Sequence, residues 1–452
     1  MVIAKRMELS GWGRYPRQLA TLVCPEEMAE ALPPPAGQMI ARGQGRSYGD
    51  AAILAEGLVM LTERLTRFAS FDEQSGVVTA EAGTTLAEVI RELLPRGWFP
   101  SVVPGTKFVS LGGCVAADIH GKNHHHEGAF GAQVKEIEIV LADQSRKRCS
   151  AEKDAGLFWA TVGGMGLTGL ITEVAFRLIP VETSYLVVQH DQAQDLDASL
   201  EMLTAKAWDD HYTVAWIDCL AKGKSLGRSV LMRGHHASVD DLPVNLRQRP
   251  FAPTRRQHNL GFDFPAWVLN SASLRAFNEL YFRLQGRRNQ PFIADHEEFF
   301  FPLDRIGNWN RMYGKRGFIQ YQCVLPSAYA PEGLRKLLDA LRVAGRHSFL
   351  SVLKRFGPAG RGLLSFPLAG YTLTLDLPVS DPDLFPFLDR LDEIVLQYDG
   401  RIYLAKDARL RAENFQIMYP KFQEWRRLKT LYDPGNCFTS DLALRLGIDS
   451  HR

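Results

Sequence analysis

The sequence predicts an α+β fold of two or three domains, and three observations predict it. Short β-type runs bounded by glycine crowd the first eighty residues, and a helix entered through threonine follows them. The second half carries runs in which apolar and polar residues alternate. With 452 residues and 46% hydrophobic content the chain can bury a full core, and a domain size of about 150 residues sets the domain count.

Residues 38–42 (QMIAR), 57–62 (GLVMLT) and 76–82 (GVVTAEA) predict strands, and 84–95 (TTLAEVIRELLP) predicts a helix starting at its threonines. Further strands are expected at 134–141 (VKEIEIVL) and 170–178 (LITEVAFRL), with Pro180 closing that unit. From about residue 184 the texture changes: VVQHDQAQDLDASLEMLTAKAWDDHYTVAWIDCL mixes a helix with a strand, so a second domain is expected to start within about four residues of there. Residues 247–266, rich in proline and arginine, suit a long surface loop, either a solvated connector or a basic lid over a phosphate-bearing substrate. The following WVLNSASLRAFNELYFRL, 267–284, has apolar residues at helical spacing, which suits a core helix or a membrane-contacting one. GFIQYQCVLP (317–326), SFLSVLKRFG (348–357) and GYTLTLDLP (370–378) alternate as an antiparallel sheet requires, leaving one sheet face to line a site.

Lys and Arg total 53 against 51 Asp and Glu, a balance that provides no broad field for nucleic acid. The segment MVIAKRMELSGWGRYP lacks the apolar core of a signal peptide, and no uninterrupted apolar run reaches the roughly 18 residues of a membrane span, so a cytoplasmic location is expected. The six cysteines form no Cys-x-x-Cys pair and read as reduced core residues. His124, His125 and His126 are consecutive; on a strand or loop such side chains diverge, and no carboxylate pattern joins them, so no metal site is expected.

Two glycine-rich stretches stand apart: ARGQGRSYGD at 41–50 and PGTKFVSLGGCVAADIHGKN at 104–123. Backbone N–H groups at turns and helix starts can surround a pyrophosphate only where no Cβ blocks the approach. A third stretch, LFWATVGGMGLTGLITEVAFRL at 157–178, repeats the theme ahead of an apolar strand. Together the three resemble the flavoproteins of the vanillyl-alcohol oxidase superfamily. GWGRYP (11–16), ARGQGRSYGDAA (41–52), DIHGKNHHHEGAFG (118–131), FWATVGGMGLTG (158–169), NWNRMYG (308–314), IQYQ (319–322) and YLAKDARLRAENFQIMYP (403–420) narrow the resemblance. They run in the same order as in the decaprenylphosphoryl-β-D-ribose 2′-oxidase family, over nearly the whole chain.

That resemblance implies a two-domain α+β fold of the vanillyl-alcohol-oxidase type. Its FAD domain is formed by residues 7–183 and completed by 401–452, with an inserted antiparallel-sheet substrate domain at 184–400. It implies a first diphosphate loop of Arg42, Gly43, Gln44, Gly45, Arg46, Ser47, Tyr48, Gly49 and Asp50. A second comprises Gly105, Ser110, Leu111, Gly112, Gly113, Ala117, Asp118, Ile119 and His120, and Ile171 and Tyr403 match further flavin contacts. Relatives that attach flavin covalently carry a histidine where this chain has Arg46, so non-covalent FAD is expected.

By the same resemblance Lys406 is the essential lysine, which would take a proton or hold the substrate oxygen, and an exposed salt bridge to Asp407 is its plain alternative. Tyr48 is an aromatic wall and His120 a neutral positioning group. Trp216, Gln320, Gln322, Lys354, Thr372 and Thr374 match substrate positions. Thr372 and Thr374 stand where mycobacterial-type members have asparagine and cysteine, and Phe300 replaces a tyrosine, which bears on the lipid length and the sugar. The implied reaction oxidises a polyprenyl-phosphoryl ribose at its 2′-hydroxyl. Its implied partners are a lipid-linked sugar phosphate, an NAD(P)-dependent short-chain reductase and a peripheral contact with the inner membrane. The alternatives are an oxygen-using alditol or aldonolactone oxidase and a flavin-bearing subunit without turnover.

Overall fold

The computed structural model describes residues 4–34, 37–205, 210–265, 270–288 and 290–448. Its strands fall into three main sheets. The first holds β1 (Lys5–Ser10), β2 (Arg17–Val23), β3 (Met39–Arg42) and β4 (Leu58–Leu61), in the order β1-β2-β4-β3. Its β2/β4 and β3/β4 pairs are parallel. The second is antiparallel and holds β5 (Phe68–Asp72), β6 (Val77–Glu81), β7 (Trp98–Pro100), β8 (Val134–Val140), β9 (Arg146–Cys149) and β10 (Leu170–Pro180). β10 lies between β6 and β8 and runs two residues past the expected end, because Ile179 and Pro180 pair with Phe99 and Trp98.

The third sheet gathers β11 (Tyr185–Ala193), β12 (Tyr212–Ile217) and β13 (Ser229–His236) with β15 (Phe292–Asp295), β17 (Phe318–Pro326), β18 (Ser351–Phe356), β19 (Gly370–Pro378) and β20 (Arg401–Ile402). Its order is β15-β11-β13-β12-β18-β19-β17-β20, antiparallel throughout. β14 (His258–Asn259), within the arginine-rich stretch, pairs in parallel with β16 (Ile306–Gly307) outside it, and the stretch also includes the end of a helical turn, Val244–Arg247. That stretch is therefore anchored: Arg255 pairs with Asp295 and reaches Glu298, and Asp263 accepts from Arg14 and Arg311.

The helix over Leu86–Leu93 starts where its sequence says: Thr85 and Glu88 form a reciprocal capping box, and Leu86, Val89, Ile90 and Leu93 turn one apolar face inward. The helix expected at 267–284 spans Ser271–Gln285, with Asn270 as its N-cap; Trp267 to Leu269 lie outside the described residues, as do Lys206 to Asp209 of the mixed segment. The three histidines form one helical turn, His124–Glu127, rather than a strand or loop, because the Asn123 carbonyl accepts from both His126 and Glu127. His124 Nδ1 accepts from Gly357 N–H at 3.1 Å. Of the cysteines, Cys24 is half-buried and not in the core.

The chain's last segment returns to its first sheet. Met39 N–H donates to the Cys437 carbonyl and Thr439 N–H to the Met39 carbonyl, while Arg445 holds Asp50 through two hydrogen bonds of 2.9 Å. Residues far apart in sequence thus close the first sheet, with the eight-stranded sheet between them in sequence. No helix among the described residues is long and apolar enough to cross a membrane.

Candidate active site

The first loop, Gly43–Ser47, leaves β3 at one end of the sheet and lines a cavity of about 1700 Å³, counting its open mouth. Arg42 sits behind it, its guanidinium donating to the Ala52 and Ser10 carbonyls at 3.1 and 2.7 Å. Gly49 is glycine because a Cβ there would stand 1.8 Å from the Asp407 carbonyl oxygen. This close approach joins the loop to the YLAKD segment, where Tyr48 N–H donates to the Ala405 carbonyl. Asp50 faces away, toward Arg445.

Among the described residues no acceptor takes the backbone N–H groups of Gln44, Gly45, Arg46 and Ser47. Four successive free donors on a cavity wall suit an anion. The second loop behaves differently from the expectation that helix starts would supply donors. Leu111 and Gly112 N–H donate to the Thr84 and Ala82 carbonyls at 2.8 Å, and Gly113 N–H to Ser110 Oγ at 3.3 Å. Its contribution is space: a Cβ at Gly113 would meet only Ser110 Oγ, at 3.1 Å, and one at Gly105 would meet nothing within 4 Å.

Lys406, Tyr48, His120, Gln320, Gln322, Lys354 and Thr374 line the same cavity. Lys406 Nζ lies 3.6 Å from the centre of the Tyr48 ring. Burial lowers its pKa to about 7, opposed by Asp376 and reinforced by Lys354. Its neighbour Asp407 pairs with Arg445 instead, at 2.8 Å. Burial also lowers Lys354 to about 8. His120 Nε2 lies 3.0 Å from the Gln322 amide nitrogen, which also donates to Thr372 Oγ1 at 3.1 Å. Burial, with Lys354, His124 and Lys406 nearby, holds His120 neutral. Its Nε2 then accepts from the amide and its Nδ1 carries the proton, without a partner among the described residues. The Tyr48 phenol is kept protonated chiefly by burial.

Of the other sequence-predicted positions, Ala117, Ile119, Ile171 and Tyr403 line the cavity, and Tyr403 Oη donates to the Ala117 carbonyl at 2.9 Å. Arg42, Gly49, Asp50, Leu111 and Asp118 stand behind the wall. Asp118 accepts from Gly131 N–H and Ser365 Oγ, and Leu111 is core. Two substrate positions are corrected by the packing. Trp216 is not on the cavity, because its ring packs on Tyr281 and joins Val230 and Phe282 one strand further out. Thr372 is fully buried and reaches the cavity only through Gln322. Phe300 is likewise core, stacked on Phe99.

Sequence reasoning missed Trp12, Trp309 and Asp376. Trp12 carries the Arg46 guanidinium over its ring at 3.9 Å. Both tryptophans lie in motifs quoted above, but nothing in those motifs says which residue faces inward.

Among the described residues the lining includes three basic side chains, Arg46, Lys354 and Lys406, one histidine, His120, and no carboxylate. A site so built, with four free N–H donors and a floor cleared of Cβ atoms, fits a diphosphate-bearing cofactor. Residues 35–150 match the family model described as an FAD binding domain, and residues 318–446 match that of D-arabinono-1,4-lactone oxidase. A decaprenylphosphoryl-beta-D-ribose oxidase from Mycolicibacterium smegmatis is 38% identical over 449 residues, 97% of both chains. The chain belongs to the decaprenylphosphoryl-beta-D-ribose oxidase family. An uncharacterized protein in the mprA 5′ region of Streptomyces coelicolor is 34% identical over 80% of this chain and the whole of its own. L-gulonolactone oxidase from Mus musculus is 26% identical over 35% of this chain and 37% of its own. Like its family, the chain is an FAD-dependent oxidoreductase with a two-domain α+β fold.

Proposed function

We propose that this protein oxidises the 2′-hydroxyl of a polyprenyl-phosphoryl ribose to the 2-keto sugar, the first half of a 2′-epimerisation for arabinose-donor synthesis. A separate NAD(P)-dependent reductase completes it. The observation that carries this reading is the described wall, with Arg46, Lys354 and no carboxylate, together with a readily deprotonated lysine, Lys406. FAD, bound non-covalently, supplies the acceptor for the hydride. Gln44 to Ser47 hold its diphosphate through backbone N–H groups, and Gly105 and Gly113 leave room for it. Lys406, neutral in part near pH 7, takes the hydroxyl proton on Nζ. Lys354 faces the sugar phosphate, Gln322 and Gln320 orient the ribose, and neutral His120 offers its Nδ1 proton as a fixed donor.

The specific observation favouring the other enzyme reading, an oxygen-using alditol or aldonolactone oxidase, is the lactone-oxidase match over residues 318–446. Anaerobic flavin bleaching decides between them. A polyprenyl-phosphoryl ribose should reduce the flavin in a single turnover while free ribose and xylitol do not. Reduction by xylitol with steady peroxide release in air would replace the proposal with the oxidase reading. No bleaching by any substrate would favour the non-catalytic one.

A lipid-linked substrate also gives a reason for a peripheral membrane contact. On the helix Ser271–Gln285, Phe277, Leu280 and Leu284 form an exposed stripe, at 43, 58 and 46% exposure, while Leu274 and Phe282 face inward. Arg275, Arg283 and Arg287 flank it in sequence; the helix's one acid, Glu279, pairs with Arg228 and Arg283. Phe277 lies 5.8 Å from the ring of Phe349, next in sequence to Leu350 of the cavity wall. Apolar and cationic residues so arranged suit an anionic bilayer surface beside the site. The protein should pellet with phosphatidylglycerol vesicles, less so in high salt, and Phe277→Ser with Leu280→Ser and Leu284→Ser should abolish pelleting. Equal pelleting of the triple variant would remove this helix from the contact.

A further inference from the structure

Asp376, on β19, is fully buried and belongs to none of the groups assigned above. It stands opposite Gln320 of β17 in the sheet register. Its Oδ1 accepts from Gln320 Nε2 at 2.6 Å and its Oδ2 from Tyr313 Oη at 2.9 Å, while its backbone N–H donates to Ser348 Oγ at 2.8 Å. A carboxylate with two side-chain donors, and no cation bonded to it among the described residues, is costly to bury. Two neighbours on the cavity use it. Gln320 lines the cavity; its amide gives one N–H to Asp376 and also bonds the Tyr48 phenol, so the group left to offer a ligand is its amide oxygen. Lys406 lines the same cavity, with its ammonium on the Tyr48 ring.

We propose that Asp376 is a positioning residue for the reaction: it turns the Gln320 amide so that an acceptor meets a substrate hydroxyl, and through Gln320 and Tyr48 it sets the charge against which the Lys406 amine rests. The groups that set this balance come from each neighbouring element. Tyr313 and Gln320 donate to Asp376, and Lys354 on β18 opposes the charge on Lys406. Arg46 and Asp304 bear on Tyr48, against which Lys406 rests. Burial raises Asp376 to about 6, so its charge is largely present at neutral pH but within reach of titration. A sequence reading sees only an aspartate two residues beyond Thr374; its partner Gln320 is 56 positions away.

The proposal rests on the reading of Lys406 as the proton acceptor, and the test separates the two. The holoenzyme is acetylated at trace level across a pH series, and the labelling of Lys406 is followed by mass spectrometry, with exposed Lys5 as the internal standard. In Asp376→Asn the midpoint for Lys406 should fall by about one pH unit or more, since an opposite charge close by shifts a pKa by that order. The rising limb of the pH profile for flavin reduction should move to lower pH by the same amount, and KM should rise as Gln320 loses its fixed orientation. Asp376→Glu should restore part of the midpoint.

Tyr313→Phe covers the case in which Asp376→Asn does not fold. Removing one donor makes the carboxylate easier to protonate, so the Lys406 midpoint should shift in the same direction by less. An unchanged midpoint in the folded variants would overturn the proposal. A shifted midpoint with an unshifted rate profile would support the role of Asp376 and remove Lys406 as the proton acceptor.

Discussion

Lys406→Ala keeps the fold and the flavin but slows anaerobic flavin reduction by about 10²–10⁴-fold at saturating substrate, the range of a lost general base. Lys406 touches the cavity from the YLAKD segment, and its charge is not committed to Asp407, which Arg445 takes, so removing it breaks no salt bridge among the described residues. Lys406→Met keeps the volume without the amine and should be nearly as slow. Lys406→Arg keeps a charge but does not readily lose its proton, and recovers little if proton transfer dominates. In the parent, the neutral amine is the active form, so the rate rises with pH through about 7; in Lys406→Ala that limb disappears. Flavin reduction within a few-fold of the parent rate would reassign Lys406 to a passive part of the wall.

Gly113→Val gives colourless protein with an intact fold. A Cβ at this position would meet only Ser110 Oγ, at 3.1 Å, and otherwise point into empty space. With Ser110 Oγ moving by a few tenths of an ångström, the protein accommodates the side chain while the cofactor's approach is closed. The parent, by contrast, should be yellow and release all its FAD on acid precipitation, because Arg46 occupies the first-loop position at which a covalent histidine would sit. A Gly113→Val protein holding full flavin would move the cofactor away from the second loop, and colour in the washed acid pellet would show a covalent bond. Circular dichroism and thermal melting of the variant separate lost flavin from lost fold.

The strands of the third sheet were legible because alternation is written locally. GFIQYQCVLP and GYTLTLDLP match β17 and β19 to within one residue. The strand around 348–357 begins later, at Ser351, because Ser348 instead uses its hydroxyl on the Leu350 carbonyl and the Asp376 backbone. The capping box at Thr85 and Glu88 was legible for the same local reason. The orientation of a side chain on a fully buried strand was not. β12 is buried along its whole length, so nothing in TVAWID says that Trp216 packs under the Ser271–Gln285 helix and leaves the wall to Val352, its cross-strand neighbour.

By itself the sequence determined the α+β class, the glycine loops and the family, through local periodicity and through long motifs in a shared order. Only the tertiary structure decided which donors those loops leave free. Whether an N–H is free depends on an acceptor elsewhere in the chain: the Thr84 and Ala82 carbonyls consume the second loop's, and among the described residues none reaches Gln44 to Ser47. The structure likewise decided that Asp376 meets Gln320 and Tyr313, since electrostatic coupling follows distance in space: β-sheet register brings in Gln320, 56 positions away, and the helical turn ending at Tyr313 brings in a residue 63 positions away.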